Sequence, residues 1–149
     1  MAPDILLARQ TVAAEAAAWL GTPFHHHARI KGVGVDCAQL LIAVYAACGL
    51  VPDFDPGQYP TDWHLHETEE RFLAHLLPYA APIKHEPGQA YAVGDVYLWR
   101  FGRTYSHGSI AVSPTQVVHA YLGRGVILTA QGEEPLDGFA VRRFSLFEG

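Results

Sequence analysis

Apolar residues recur every three or four positions over residues 4–20, at Ile5, Ala8, Val12, Ala16 and Trp19, on an alanine-rich background. That period predicts an amphipathic helix, closed by Gly21. The same spacing returns over residues 37–48 with Leu40, Leu41, Val44, Tyr45 and Cys48, and stops at Gly49. A third helical pattern runs over residues 64–77 with Leu65, Phe72, Leu73, Leu76 and Leu77, stopped by Pro78. Between them lies a proline-rich connection over residues 50–57, then Tyr59-Pro60-Thr61-Asp62-Trp63. The aromatics of that loop either wall a binding cleft or pack on the core. After residue 90 the pattern changes to strands, at residues 93–99, 108–112, 116–121, 125–129 and 139–144, with Ser113-Pro114-Thr115 as a turn. Helices first and an antiparallel meander of about five strands second is an α+β order, not the alternation of a parallel sheet. No repeat, linker or low-complexity tract interrupts it, so residues 1–149 read as one domain.

Composition narrows the function. Half of the 149 residues are hydrophobic and 17% are charged, which fits a folded chain with a proper core. A formal net charge of −5 argues against nucleic-acid binding, which needs a basic face. No apolar run approaches the length of a membrane span. Met1-Ala2-Pro3-Asp4 carries no basic segment leading into an apolar one, so no signal peptide is expected and synthesis in the cytoplasm is. Cys37 and Cys48, on one helix, would stand about 16 Å apart at 1.5 Å per residue, too far for a disulfide. Both read as free thiols.

Asp36 and Cys37 begin the second helix, just after Gly34. Asp is a favoured N-cap, and Cys37 in the first turn meets the positive end of the helix dipole, which favours a thiolate. This predicts a Cys37 pKa below the free value of about 8.5, with Cys48 a neutral thiol in the core. A buried structural cysteine is the plainer reading of Cys37, unless a base stands beside it. His107 and His119, on successive predicted strands, are candidates. Neighbouring strands lie about 4.8 Å apart, and the two rings share a face only if the turn between them holds an odd number of residues. A three-residue loop Ser113-Pro114-Thr115 pairs Val112 with Gln116, sets Ser109 opposite His119 and leaves His107 diagonal to it. Cys37 then attacks, His107 carries the proton and His119 orients His107. The run His25-His26-His27 suggests a metal, but adjacent residues point in different directions and cannot all bind one ion from regular structure. One of them lining a cleft is the better expectation; no metal or organic cofactor is implied.

The motifs Gly21-Thr22-Pro23-Phe24, Gly34-Val35-Asp36-Cys37-Ala38, Gly94-Asp95-Val96, Ser106-His107-Gly108-Ser109-Ile110 and Val118-His119-Ala120 resemble, in order, those of the NlpC-type cell-wall cysteine peptidases. The loop from Asp55 to His64 and the form Ser106-His107-Gly108 resemble the branch found in phage tails and gene-transfer agents. The resemblance implies a papain-like fold with Cys37 as nucleophile, His107 as base and His119 as third residue. It further implies cleavage of a peptidoglycan stem-peptide amide such as D-glutamate–diaminopimelate. Phe24, His25, His26, Asp36, Trp63 and Ser106 would then lie near the substrate or the oxyanion. Phe24 departs from the pattern: relatives usually carry a tyrosine there. The oxyanion would rest on the Cys37 N–H and a second group, such as one of the histidines His25 to His27.

The leading expectation is thus a peptidoglycan endopeptidase carried on a phage-like tail, acting on the cell wall with tail or baseplate proteins as partners. The rivals are a structural tail-tip subunit with little activity, and a papain-like amidase or acyltransferase acting on another amide.

Overall fold

The structure, a computed structural model, describes residues 3–53 and 78–147. Trp63, the loop around it and the helix expected over residues 64–77 lie outside the described residues. Helix α1 (Pro3–Ala17) is followed by the short hairpin β1 (Arg29–Ile30) and β2 (Gly34–Val35), then helix α2 (Cys37–Ala47). The remaining strands are β3 (Ala81–Ile83), β4 (Val96–Phe101), β5 (Thr104–Ser113), β6 (Gln116–Tyr121), β7 (Gly125–Ala130) and β8 (Val141–Ser145). They form one six-stranded antiparallel sheet in the order β3-β8-β4-β5-β6-β7. The meander from β4 to β7 matches the sequence pattern. The last strand instead crosses back to pair with β4, and the expected five strands become six by the addition of β3. Three residues with Pro82 in the middle carry too little alternation to be seen in sequence.

The two sheet faces bury different sets of residues. Val96, Leu98, Ile110, Val118, Ala120, Val126 and Phe144 meet Leu40, Leu41, Val44 and Tyr45 of α2 and Val12 and Ala16 of α1. Tyr97, Trp99, Ala111 and Val117 form a second cluster with Tyr91 and Leu136. Helix α1 stops at Ala17, before the expected Gly21, because the chain turns to lie along β7: the Gly21 N–H donates to the Val126 carbonyl and the Val126 N–H to the Thr22 carbonyl. Glycine suits Gly34, since a Cβ there would come within 2.8 Å of the His25 Cβ.

A buried charge cluster ties these layers. Arg9 of α1 donates from Nη1 to Asp95 Oδ1 at 2.7 Å, and Arg143 of β8 from Nε to Asp95 Oδ2 at 2.7 Å. Asp95 is fully buried, and the Tyr45 hydroxyl of α2 donates to the adjoining Gly94 carbonyl at 2.8 Å. Hydropathy hides this, because Arg9 sits on the buried side of a helix as a lone charge.

The turn between β5 and β6 sets the parity of the whole site. Ile110 pairs with Val118 and Ala111 with Val117, but Ser113 pairs with Gln116, so Val112 is an extra residue in β5. The connection is therefore a two-residue turn at Pro114-Thr115, not the expected three-residue loop. Alone, that turn would put the two histidines on opposite faces. The bulge at Val112 restores the phase, so that His107 and His119 share a face as the odd-residue argument required.

Removing one partner of a buried ion cluster leaves uncompensated charge. Asp95→Ala is expected to lower unfolding free energy by about 3–5 kcal/mol in chemical denaturation. Lys84→Ala, which breaks an exposed pair with Glu86, should change it by less than about 1 kcal/mol.

Candidate active site

Asp36 builds the near side of the site. Its backbone is extended, and its Oδ1 accepts the Gln39 N–H at 2.9 Å, capping α2. Its Oδ2 accepts the His27 N–H at 2.7 Å. That second bond holds His27 at φ +65°, a conformation rare for a residue with a Cβ. One carboxylate thus fixes both the helix start and the histidine-bearing loop before it. Gln39 extends the frame: its Oε1 accepts from Arg29 Nε at 2.6 Å, and Arg29 also pairs with Asp53.

Cys37 opens α2 and is buried. Its thiol donates to the Ser106 carbonyl at 4.0 Å, and the Gly108 N–H points at the sulfur. The thiol therefore rests on the backbone at both sides of His107. A second bulge shapes this spot: Trp99 pairs with His107 and Arg100 with Tyr105, leaving Ser106 extra. The β5–β6 pairs begin only at Ile110, so the two strands part beside residues 106–108. Cys37 lies at that strand edge, between the face that α2 covers and the opposite one.

The imidazoles occupy the opposite face. His107 Nε2 and His119 Nδ1 are 2.8 Å apart, with the rings edge to face. His119 Nε2 and Thr129 Oγ1 are also 2.8 Å apart. Phe101 stacks on His107 with centroids 4.5 Å apart, and Tyr121 stands edge-on to both histidines. The two histidines share a sheet face as expected; α2 covers the other face, and the Cys37 thiol meets the β5 backbone at Ser106 and Gly108.

Burial sets the electrostatics. Desolvation pushes the Cys37 thiol up to about 12, and the Asp36 carboxylate adds to it; the N–H groups of Gly108, Ala38 and Cys37 pull the other way. The depressed pKa expected from the helix dipole is therefore overturned, because burial outweighs the helix N-terminus. Cys48 is the neutral thiol expected, but it is not within the core. It is half-buried at the C-cap of α2, with its pKa raised by burial and then by Glu15. Cys37, not Cys48, is the more buried thiol. His119 is pushed down to about 4 by burial, with Arg124 adding to it, so the ring is neutral near pH 7.

The other candidate residues divide. Phe24 is half-buried on the α2 core and bridges to Val35. His25 is exposed, its ring Nδ1 3.3 Å from the His26 carbonyl. His26 is half-buried, with Nδ1 3.7 Å from Asp36 Oδ2. Ser106 is buried beside the thiol, and among the described residues its hydroxyl has no hydrogen-bond partner. No group of three or more His, Cys, Asp or Glu among the described residues is arranged to hold a metal ion. Sequence reasoning missed Thr129. Its signal was register: Val117 pairs with Thr129 and His119 with Ile127, which sets Thr129 diagonal to His119 on one face.

No family model matches the chain, and no curated protein matches its sequence. Solved structures do. NlpC2 from Trichomonas vaginalis superposes with a TM-score of 0.63 at 16% identity, over 92% of this chain and 45% of that protein. The NlpC/p60 domain of the peptidoglycan hydrolase SagA gives 0.55 at 19% identity, over 90% and 96%. A Staphylococcus aureus protein described as similar to a lipoprotein of the NLP/P60 family gives 0.58 at 18%, over 91% and 41%. The chain thus spans less than half of the Trichomonas and Staphylococcus proteins. The α+β arrangement is that of the NlpC/p60 papain-like domains.

His119 gives a stability prediction. Its folded pKa lies below the unfolded value, so the unfolded state takes up more protons between about pH 6.5 and 4. Acidification through that window should cost up to about 3 kcal/mol at this site, at 1.36 kcal/mol per pKa unit. His119→Asn should flatten that part of the stability–pH curve measured by urea unfolding.

Proposed function

We propose that the chain is a cysteine peptidase that cleaves a stem-peptide amide of peptidoglycan, with Cys37, His107 and His119 as its reacting centre. The observation that carries this reading is the thiol at a helix N-terminus, resting on the backbone that flanks His107, with His107 bonded to His119 at 2.8 Å. Nucleophile, base and orienting group in that sequence are what acyl transfer through a thiol requires. The fold shared with the NlpC/p60 domain of a peptidoglycan hydrolase supports the substrate class.

The chemistry follows from the charges. Burial keeps Cys37 protonated at rest, so attack on a carbonyl needs His107 to take the thiol proton as the sulfur–carbon bond forms. With Nε2 turned to His119, Nδ1 is the nitrogen for that transfer. The Cys37 N–H, in the first turn of α2, donates to the developing oxyanion. The carbon–nitrogen bond then breaks, His107 returns the proton to the leaving amine, and water hydrolyses the thioester. Neutral His119 accepts from His107 throughout and holds its ring.

On this reading the chain acts within a phage-like tail, delivered to the wall with tail or baseplate proteins. The resemblance of Ser106-His107-Gly108 to the tail and gene-transfer-agent branch supports it. A structural tail subunit with weak activity is the second reading. Phe24 favours it, because a phenyl ring offers no donor to an oxyanion.

Digestion of purified muropeptides, read by product masses, tests the choice. The expected products are fragments cut at the D-glutamate–diaminopimelate bond, lost in Cys37→Ala. Phe24→Tyr should keep the fold and raise kcat or leave it unchanged. Intact muropeptides after prolonged incubation would favour the structural subunit, and products cut at another amide would favour an amidase or acyltransferase.

A further inference from the structure

We propose that Thr129 is a positioning residue that accepts the Nε2–H of His119 and so supports the tautomer that leaves a bare nitrogen on His107. The proposal rests on the peptidase reading for its catalytic consequence, but the tautomer itself belongs to the resting protein.

Neighbouring strands supply the chain of contacts. His107 stands on β5, His119 on β6 and Thr129 on β7. The β6–β7 register makes the second step diagonal on one face: His119 pairs with Ile127, two residues before Thr129. Both links are 2.8 Å, His119 is fully buried and Thr129 is 3% exposed. A buried ring nitrogen has no water to turn to, so each must be satisfied by the residue beside it.

A neutral imidazole has one N–H and one bare nitrogen. For His107 to accept the thiol proton at Nδ1, its own proton must sit on Nε2 and be donated to His119 Nδ1. His119 Nδ1 is then bare, and its proton sits on Nε2, which must find an acceptor. Thr129 Oγ1 is that acceptor. The reverse order, with the His119 proton on Nδ1, puts the His107 proton on Nδ1 and leaves the thiol without a base. A hydroxyl can donate to a bare ring nitrogen as well as accept from an N–H, so Thr129 supports the working order by giving the Nε2–H a place to go, which an apolar side chain cannot. Valine at this position would leave the His119 Nε2–H buried without a partner, and so favour the reverse order.

Nitrogen-15 NMR of the histidine ring nitrogens in the full chain near pH 7 tests this with no substrate present. The expected spectrum has His119 protonated at Nε2 in the wild type and in Thr129→Ser, and shifted toward Nδ1 in Thr129→Val. With the tripeptide L-Ala-γ-D-Glu-diaminopimelate, Thr129→Val should lose about tenfold or more in kcat with KM little changed, and Thr129→Ser should regain most of it. A wild-type His119 protonated at Nδ1 overturns the proposal even if Thr129→Val fails to fold. So does a Thr129→Val protein with the wild-type tautomer and kcat. A wild-type protein inactive on the tripeptide, with the Nε2–H tautomer in the wild type and a shift toward Nδ1 in Thr129→Val, contradicts the peptidase reading and upholds the role of Thr129.

Discussion

Side chains alternate along β5 and β6, so the 2.8 Å bond between His107 and His119 depends on the number of residues that separate them. A two-residue turn at Pro114-Thr115 has the wrong parity, and Val112 corrects it by bulging out of the ladder. The second bulge, at Ser106, lies where Cys37 meets β5. Both irregularities fall on the one strand that carries His107. The sheet therefore supplies rigidity, while its two extra residues supply the aim. A slip of one residue anywhere between them would send one imidazole to the other face.

The electrostatics follow from where the thiol lies. A helix N-terminus favours a thiolate, yet Cys37 is buried beside the Asp36 carboxylate, and desolvation prevails. Asp36 cannot be dispensed with, because it caps α2 and holds the His27 backbone. The same residue that positions the thiol thus adds to the burial that keeps it protonated. Such a thiol needs a base at the moment of reaction, which gives the His107–His119–Thr129 chain its purpose. Burial also keeps His119 neutral, and a neutral ring can accept from one side while donating to the other.

Much of this was legible in sequence where one local signal sufficed. Asp36 before an apolar helical run gave the N-cap, Gly49 gave its end, and short apolar runs between turn signals gave β6 and β7. The meeting of His107 and His119 followed from an odd-residue count, although a bulge and a shorter turn supply it. What stayed hidden depends on contacts distant in sequence. Arg9 reads as a surface charge until Asp95 and Arg143 close around it. Thr129 reads as strand filler until β6–β7 register sets it against His119. The Cys37 pKa was misjudged because helix position is visible in a sequence and burial is not.

Substrate-directed labelling tests most directly whether Cys37 and His107 act together. A stem-peptide analogue bearing a thiol-reactive electrophile at the scissile carbonyl would be incubated with the native chain, followed by intact and peptide mass spectrometry. A single adduct on Cys37, strongly slowed in His107→Ala and absent from half-buried Cys48, is the expected result. Modification of Cys48 in preference to Cys37, or labelling of Cys37 at an unchanged rate in His107→Ala, would contradict the account.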